Sequence, residues 1–95
     1  MIGLHFKGQK FPFGQLVSTS NALDRLVQAD VWTAIQRHAK GDWGDLCEED
    51  RKSNEWSLEH GERLFSVYHD RNQTKFYIIT ECDRTATTVL LPEDY

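Results

Sequence analysis

The chain has 95 residues, 39% of them hydrophobic and 12% aromatic, and its net charge is −4. This length predicts one domain, residues 1–95, and the apolar content excludes a disordered chain. No apolar run approaches the roughly 18 residues that span a membrane. Since Met1–Phe6 does not have the pattern of a secretion signal, we expect a cytoplasmic protein.

The N-terminal segment, residues 1–13, is rich in aromatic side chains but has no regular period. Phe6, Phe11 and Phe13 alternate with glycine and proline, so we expect an irregular or edge-strand arm. Residues 14–18 then favour a short strand.

Two short helices are predicted between residues 20 and 40. The cluster Thr19-Ser20-Asn21 is typical of a helix start, and Asp30 is expected to cap the second helix. Gly41 ends that helix, and His38 in its last turn is interpreted as a favourable positive charge at the helix terminus.

The run Gly41-Asp42-Trp43-Gly44 predicts a tight turn, because glycines flank it on both sides. An indole ring in such a turn rarely stays in water, so we interpret Trp43 mainly as a plug over the core. The alternative is an exposed anchor for a binding partner. Asp45 is expected to cap a third helix, residues 46–60, with Glu48 completing a capping box before Gly61 ends it.

Three later runs, 64–69, 75–81 and 87–91, have the composition and alternation of strands. They predict a three-stranded antiparallel meander, with residues 14–18 as an optional fourth strand. Two or three short helices must cover its apolar face, which gives an α+β fold.

Negative charge is concentrated in residues 42–62, where eight acidic and two basic side chains give a net charge of −6. A surface of this kind suits a basic protein partner better than a phosphate backbone. The hypothesis is therefore a protein-binding surface made by one set of side chains: Asp42, Trp43, Asp45, Glu48, Glu49, Asp50 and Asn54.

The search for chemistry gives little. The histidines and cysteines lack the spacing of a metal site, and no nucleophile elbow or phosphate loop is present, so we expect no metal and no cofactor. Cys47 and Cys82 are interpreted as free thiols. One alternative is a small enzyme with His38, Asp42, Asp45 or Asn54 in a cleft near the turn.

A second alternative is weak binding of single-stranded nucleic acid. Lysines and arginines at 7, 10, 25, 37 and 40 alternate with Phe6, Phe11, Phe13 and Trp32, which is the combination of cations and stacking rings that such binding uses. The density of these residues is low, and nucleic acid is not the partner that we expect.

Three segments together resemble a family of small bacterial proteins from plasmids, phages and integrated elements, often labelled "plasmid-related protein". They are residues 15–23, residues 38–54 around His38-Ala39-Lys40-Gly41-Asp42-Trp43-Gly44, and residues 79–93. Similar sequences place Thr-Pro where this chain has Thr19-Ser20. Some members carry a restriction–modification label. The resemblance implies a mobile-element accessory protein and transfers no catalytic residue.

These observations lead us to expect a non-enzymatic accessory factor that binds a host or element-encoded protein through its acidic face. An inhibitor of a host defence system would fit this description. An open strand edge would also allow two copies to pair as a homodimer.

Overall fold

A computed structural model describes residues 6–95, so the first five residues of the predicted arm lie outside the described part of the chain. From residue 6 to residue 13 the arm contains no strand. The elements in chain order are β1 (Gln15–Ser18), α1 (Ser20–Arg25), α2 (Gln28–Ala39), α3 (Glu48–His60), β2 (Leu64–His69), β3 (Lys75–Thr80), β4 (Ala86–Leu90) and a 3₁₀ turn (Pro92–Asp94).

The strands form one mixed sheet in the order β1-β4-β3-β2. β2, β3 and β4 make the predicted antiparallel meander, and the fourth strand, β1, joins β4 in parallel with Val17 opposite Thr88. The α+β fold is therefore confirmed. The long connection between β1 and β4, which contains α1, α2, α3 and two strands, permits this parallel pairing.

The main core lies between the sheet and the helices α1 and α2. From α2, Val31 and Ile35 are buried, and from the sheet Phe76, Ile78 and Val89 are buried in the same cluster. Helical spacing places the α2 residues on one side, and the two-residue period of a strand places the sheet residues on one face. The arm completes the cluster, because Phe11 and Phe13 are buried with these residues. These two residues of the arm are thus a part of the core.

Of the three helix caps predicted from the sequence, one is confirmed and two are wrong. The Thr19 hydroxyl accepts a hydrogen bond from the Ala22 N–H, which confirms the start of α1. Asp30 does not cap α2: the cap is Val27, and Asp30 pairs with Arg71 at 2.9 Å. Asp45 does not cap α3 either, because the cap position falls on Cys47 and makes no side-chain bond.

The predicted turn 41–44 lies along the outer edge of β2. Gly44 forms an isolated parallel bridge with Val67. The Val67 N–H donates to the Trp43 carbonyl at 3.2 Å, and the Asp45 N–H donates to the Val67 carbonyl at 2.7 Å. Unpaired edge groups would otherwise invite pairing with another chain, so the turn closes this edge.

A side chain closes the same edge one step earlier. The Asn54 amide nitrogen donates to the Phe65 carbonyl at 2.6 Å, and its oxygen accepts from the Phe65 N–H at 3.1 Å. Asn54 is buried, and it attaches α3 to β2 by imitating the pairing of a neighbouring strand.

We expect Gly44→Ala to destabilise the protein far more than Gly61→Ala. Both glycines have a positive φ, 75° and 69°, which costs an alanine about 1–2 kcal/mol. At Gly44 the added Cβ would lie 2.0 Å from the Val67 carbonyl oxygen, whereas at Gly61 nothing lies within 4 Å. Urea unfolding should show a loss above about 3 kcal/mol for Gly44→Ala and about 1 kcal/mol for Gly61→Ala. Equal losses would contradict the close contact with β2.

Candidate functional site

The seven residues proposed as a protein-binding surface do not form one surface. Glu48, Glu49 and Asp50 lie exposed in the first turn of α3. Asp42 and Asp45 are exposed but bonded within the chain. Trp43 and Asn54 are buried and are not available to a partner.

Asp42 is held by the end of α2. Arg37 donates from Nε to one carboxylate oxygen at 2.8 Å and from Nη2 to the other at 3.2 Å. The Gly44 N–H also donates to this carboxylate, and the Tyr68 hydroxyl donates to the Asp42 carbonyl at 2.5 Å. The hydrogen bonds from Arg37 lower the pKa of Asp42, so it stays ionised and its charge is balanced inside the molecule.

Trp43 is the plug that the sequence predicted. Its side chain is 2% exposed, and its ring packs edge-on against His38 at 5.6 Å and parallel to Phe11 at 6.3 Å. The indole N–H donates to the Glu55 carboxylate at 2.5 Å. A buried indole needs such a partner, so one acidic residue of α3 serves to seat the ring.

Asp45, instead of capping α3, binds the end of β2. Its carboxylate lies 2.7 Å from Nδ1 of His69. The pair is exposed to solvent, so its contribution to stability is small when the histidine is charged. Asp45 is therefore the second carboxylate of the 42–62 segment that is bonded within the chain.

Two residues that the sequence did not single out attach the turn to α3. Arg51 donates to the Gly44 carbonyl at 2.5 Å and to the Leu46 carbonyl at 3.1 Å, while Glu55 receives the Trp43 indole. Arg51 and Glu55 are four residues apart, so they lie on one face of α3. This spacing is the sequence signal that they could contact the same segment.

His38 is the centre of a buried polar chain. The Thr87 hydroxyl donates to the Phe13 carbonyl at 2.9 Å, so the Thr80 hydroxyl must donate to Thr87 at 2.8 Å. Thr80 can then only accept from Nε2 of His38 at 2.9 Å, and Nδ1 accepts from Ser66 at 2.5 Å. This order of donors places a proton on Nε2, and the acceptor role of Nδ1 is that of the neutral imidazole.

The interpretation of His38 as a favourable charge at the helix terminus is wrong. The ring has 0% exposure. Burial, together with the nearby Arg84 guanidinium, lowers its pKa to about 3. The sequence signal for this site is a set of hydroxyl residues on the core side of the strands. Ser66, Thr80 and Thr87 each lie two positions from a core residue, Leu64, Ile78 and Val89 respectively.

The small-enzyme alternative receives no support from this geometry. His38 cannot be reached by a substrate, and both ends of the Asn54 amide are bonded to Phe65. The cavity beside Asn54 is lined by Asp50 and Arg63 but by none of His38, Asp42 or Asp45. In residues 6–95 no three histidine, cysteine or acidic side chains are grouped to hold a metal ion.

The nucleic-acid alternative loses two of its four stacking rings to the core, and Trp32 alone of the four stays substantially exposed, at 43%. Phe11 and Phe13 are buried in the core, and Phe6 packs against Trp32 with centroids 5.3 Å apart. Two of its cations are engaged as well, Arg25 with Glu93 and Arg37 with Asp42.

One exposed side of α3 takes no part in the contacts described above, and we call it the α3 outer face. It consists of Glu48, Glu49, Lys52, Trp56 and Glu59, all exposed and at spacings of three and four. Trp56 is 54% exposed, and its ring stacks on His60 with centroids 4.2 Å apart. Glu48 lies 3.7 Å from Lys52. Because the face carries three glutamates and one lysine, its net charge is negative.

Comparison of the chain with protein-family models, with curated protein sequences and with solved structures gives no match. The resemblance to plasmid-related proteins therefore stays a prediction.

No helix in the described part of the chain is long and apolar enough to cross a membrane. Cys47 and Cys82 are both free and exposed.

We expect stability to fall between about pH 7 and pH 5 because of His38. Its folded pKa lies below the ordinary 6.5, so the unfolded chain takes up the proton first and acid favours unfolding. The free energy of unfolding should decrease by about 1.4 kcal/mol per pH unit below the unfolded pKa. Urea unfolding at several pH values measures this. The control, His38→Gln, retains a donor and an acceptor and should lack this slope; an equal slope in both proteins would contradict the assignment.

The two tryptophans of the acidic segment should differ in their effect on stability. Trp43→Ala removes a buried ring and should cost about 3–5 kcal/mol. Trp56→Ala removes an exposed ring and should change stability by less than about 0.5 kcal/mol. Urea unfolding followed by circular dichroism compares the two, and comparable losses would contradict the plug.

Proposed function

We propose that this chain is a non-enzymatic protein-binding factor that uses the α3 outer face to bind a basic surface of another protein. The observation that carries the proposal is Trp56, a large ring left 54% exposed in the middle of an acidic helix face. Tryptophan is enriched among the residues that dominate binding energy at protein interfaces.

The inner side of α3 has a structural task, and the outer face has none within residues 6–95. Asn54 pairs with β2, and Arg51 and Glu55 hold the turn. The outer face makes one weak ion pair, Glu48 with Lys52, whose two side chains are about four-fifths exposed. An exposed pair of this kind contributes little to folding, so its charges are available for a partner.

The charge of the face indicates the chemistry of the partner. Three glutamates against one lysine favour a surface rich in lysine and arginine, which would be steered toward the acidic helix before contact. Trp56 would then supply apolar contact area at the centre of the charged ring. A partner encoded by the host or by a mobile element, and inhibition of a host defence system, remain the setting that the sequence resemblance suggests.

Burial and internal pairing reduce the set of residues that we propose for this surface. Trp43 and Asn54 leave the surface because they are buried, and Asp42 and Asp45 are secondary because Arg37 and His69 already bind them. Glu48 and Glu49 remain, and Lys52, Trp56 and Glu59 are added. Asp50 is exposed but lies on the side of α3 that carries Asn54, so it is outside the α3 outer face.

Reversing one charge on the α3 outer face should weaken binding, whereas the same change elsewhere should not. The test variant is Glu49→Lys, and the matched control is Asp24→Lys, an exposed acidic residue on α1. Affinity capture from lysate with quantitative mass spectrometry should recover a basic protein with the wild type and the control. Recovery should fall at least about tenfold with Glu49→Lys or Trp56→Ala, which corresponds to about 1.4 kcal/mol. Capture that is equal for all variants would overturn the proposal.

A further inference from the structure

The two edge strands of the sheet differ in whether their outward backbone groups are hydrogen-bonded. The β2 edge is closed by the turn and by Asn54, as described above. At the other edge, the Gln15 N–H donates to Thr85 and the Thr19 N–H donates to Val89. Odd-numbered residues of β1 therefore point their backbone groups toward β4, and Leu16 and Ser18 point theirs away from the sheet. These outward groups form no hydrogen bond with any other part of residues 6–95.

Within residues 6–95 the β1 edge also lacks the usual protection against pairing. Edge strands are commonly guarded by lysine, proline or a bulge. Here the sequence from Phe11 to Leu23 contains no charged residue, and its one proline, Pro12, precedes the strand. Val17 is 38% exposed on β1, and Trp32 is 43% exposed beside it, lining an apolar groove between β1 and α2.

We propose that two copies of this chain pair antiparallel through β1, with Val17 of each copy on a twofold axis. Leu16 of one copy would then face Ser18 of the other. Since each of these residues presents both its N–H and its carbonyl outward, the pairing forms four hydrogen bonds, two for each Leu16–Ser18 pair. The two four-stranded sheets become one sheet of eight strands.

A second copy is favoured as the occupant because the edge carries no charge that would repel its own copy, and because its outward groups are symmetric. The free N–H and carbonyl groups are placed symmetrically on either side of Val17, so the strand is its own complement. The two Val17 residues form a pair without hydrogen bonds, where β-branched side chains stand close together and stabilise the sheet.

Charge does not oppose this pairing, although each chain carries a net charge of −4. The acidic helix α3 packs on β2, which is three strands away from β1. At about 4.8 Å per strand this is roughly 14 Å, more than the Debye length of about 8 Å in physiological salt. The inference is thus independent of the proposed binding of a basic partner, and its test needs no partner.

Cysteine cross-linking tests the register. In a background with Cys47 and Cys82 replaced by serine, Val17→Cys places two thiols opposite each other on the axis, within the reach of a disulfide. Gln15→Cys is the matched control on the same strand face. Residue 15 lies opposite residue 19 of the other copy, and the two residues 15 are about 14 Å apart.

With oxidised glutathione, the Val17→Cys protein should form a covalent dimer and the Gln15→Cys protein should remain monomeric. Equal cross-linking of both, or cross-linking of Gln15→Cys alone, would overturn the register.

Sedimentation measurements from about 10 μM to about 1 mM test the association itself. The wild type should show a monomer–dimer equilibrium. Ser18→Pro removes one outward N–H and leaves the hydrogen bonds to β4 in place, so it should raise the dissociation constant at least about tenfold. The control Thr33→Lys, on the exposed side of α2, should leave it unchanged. A wild type that stays monomeric throughout, as expected if the edge receives a segment of another protein, would overturn the proposal.

Discussion

The contact on which the structure depends is the docking of the turn 42–45 on β2. Gly44 approaches the Val67 backbone as closely as a neighbouring strand would, and this brings the Trp43 ring into the interior between His38 and Phe11. Through Arg51 and Glu55 the same turn holds α3. A residue larger than glycine at position 44 would separate all of these partners, because backbone atoms cannot move aside as a flexible side chain can.

Much of the polar character of the acidic segment is used for folding. Asp42 is neutralised by Arg37, Asp45 binds His69, and Glu55 seats an indole. The same rule holds in the interior, where burial keeps His38 neutral and the hydroxyl groups of Ser66 and Thr80 satisfy its two ring nitrogens. Buried polar groups are costly unless they are bonded, and every buried side-chain nitrogen and oxygen in the described residues has a partner.

The two surfaces that we propose for binding lie at opposite edges of the sheet, one beside β2 and the other at β1. The α3 outer face is acidic and carries Trp56, while the β1 edge is uncharged and carries Val17 beside Trp32. Because the sheet separates them, a dimer formed through β1 would display two acidic helices facing away from the axis. Such a dimer could bind a basic partner at both ends, and two linked sites increase the apparent affinity without new contacts.

The sequence by itself determined the elements and the burial of Trp43, because helical spacing, strand alternation and paired glycines are local signals. It also determined the meander, since short polar turns join β2, β3 and β4. It did not determine which acidic groups are free: His69 and Trp43 reach Asp45 and Glu55 only when β2, the turn and α3 come together, whereas Arg37 meets Asp42 within five residues of chain. The state of His38 was likewise decided by the tertiary structure, since Ser66, Thr80 and Thr87 lie 28 to 49 residues away in the chain. Periodicity shows which side of an element is buried, but the partner that meets a polar group there depends on packing between distant segments.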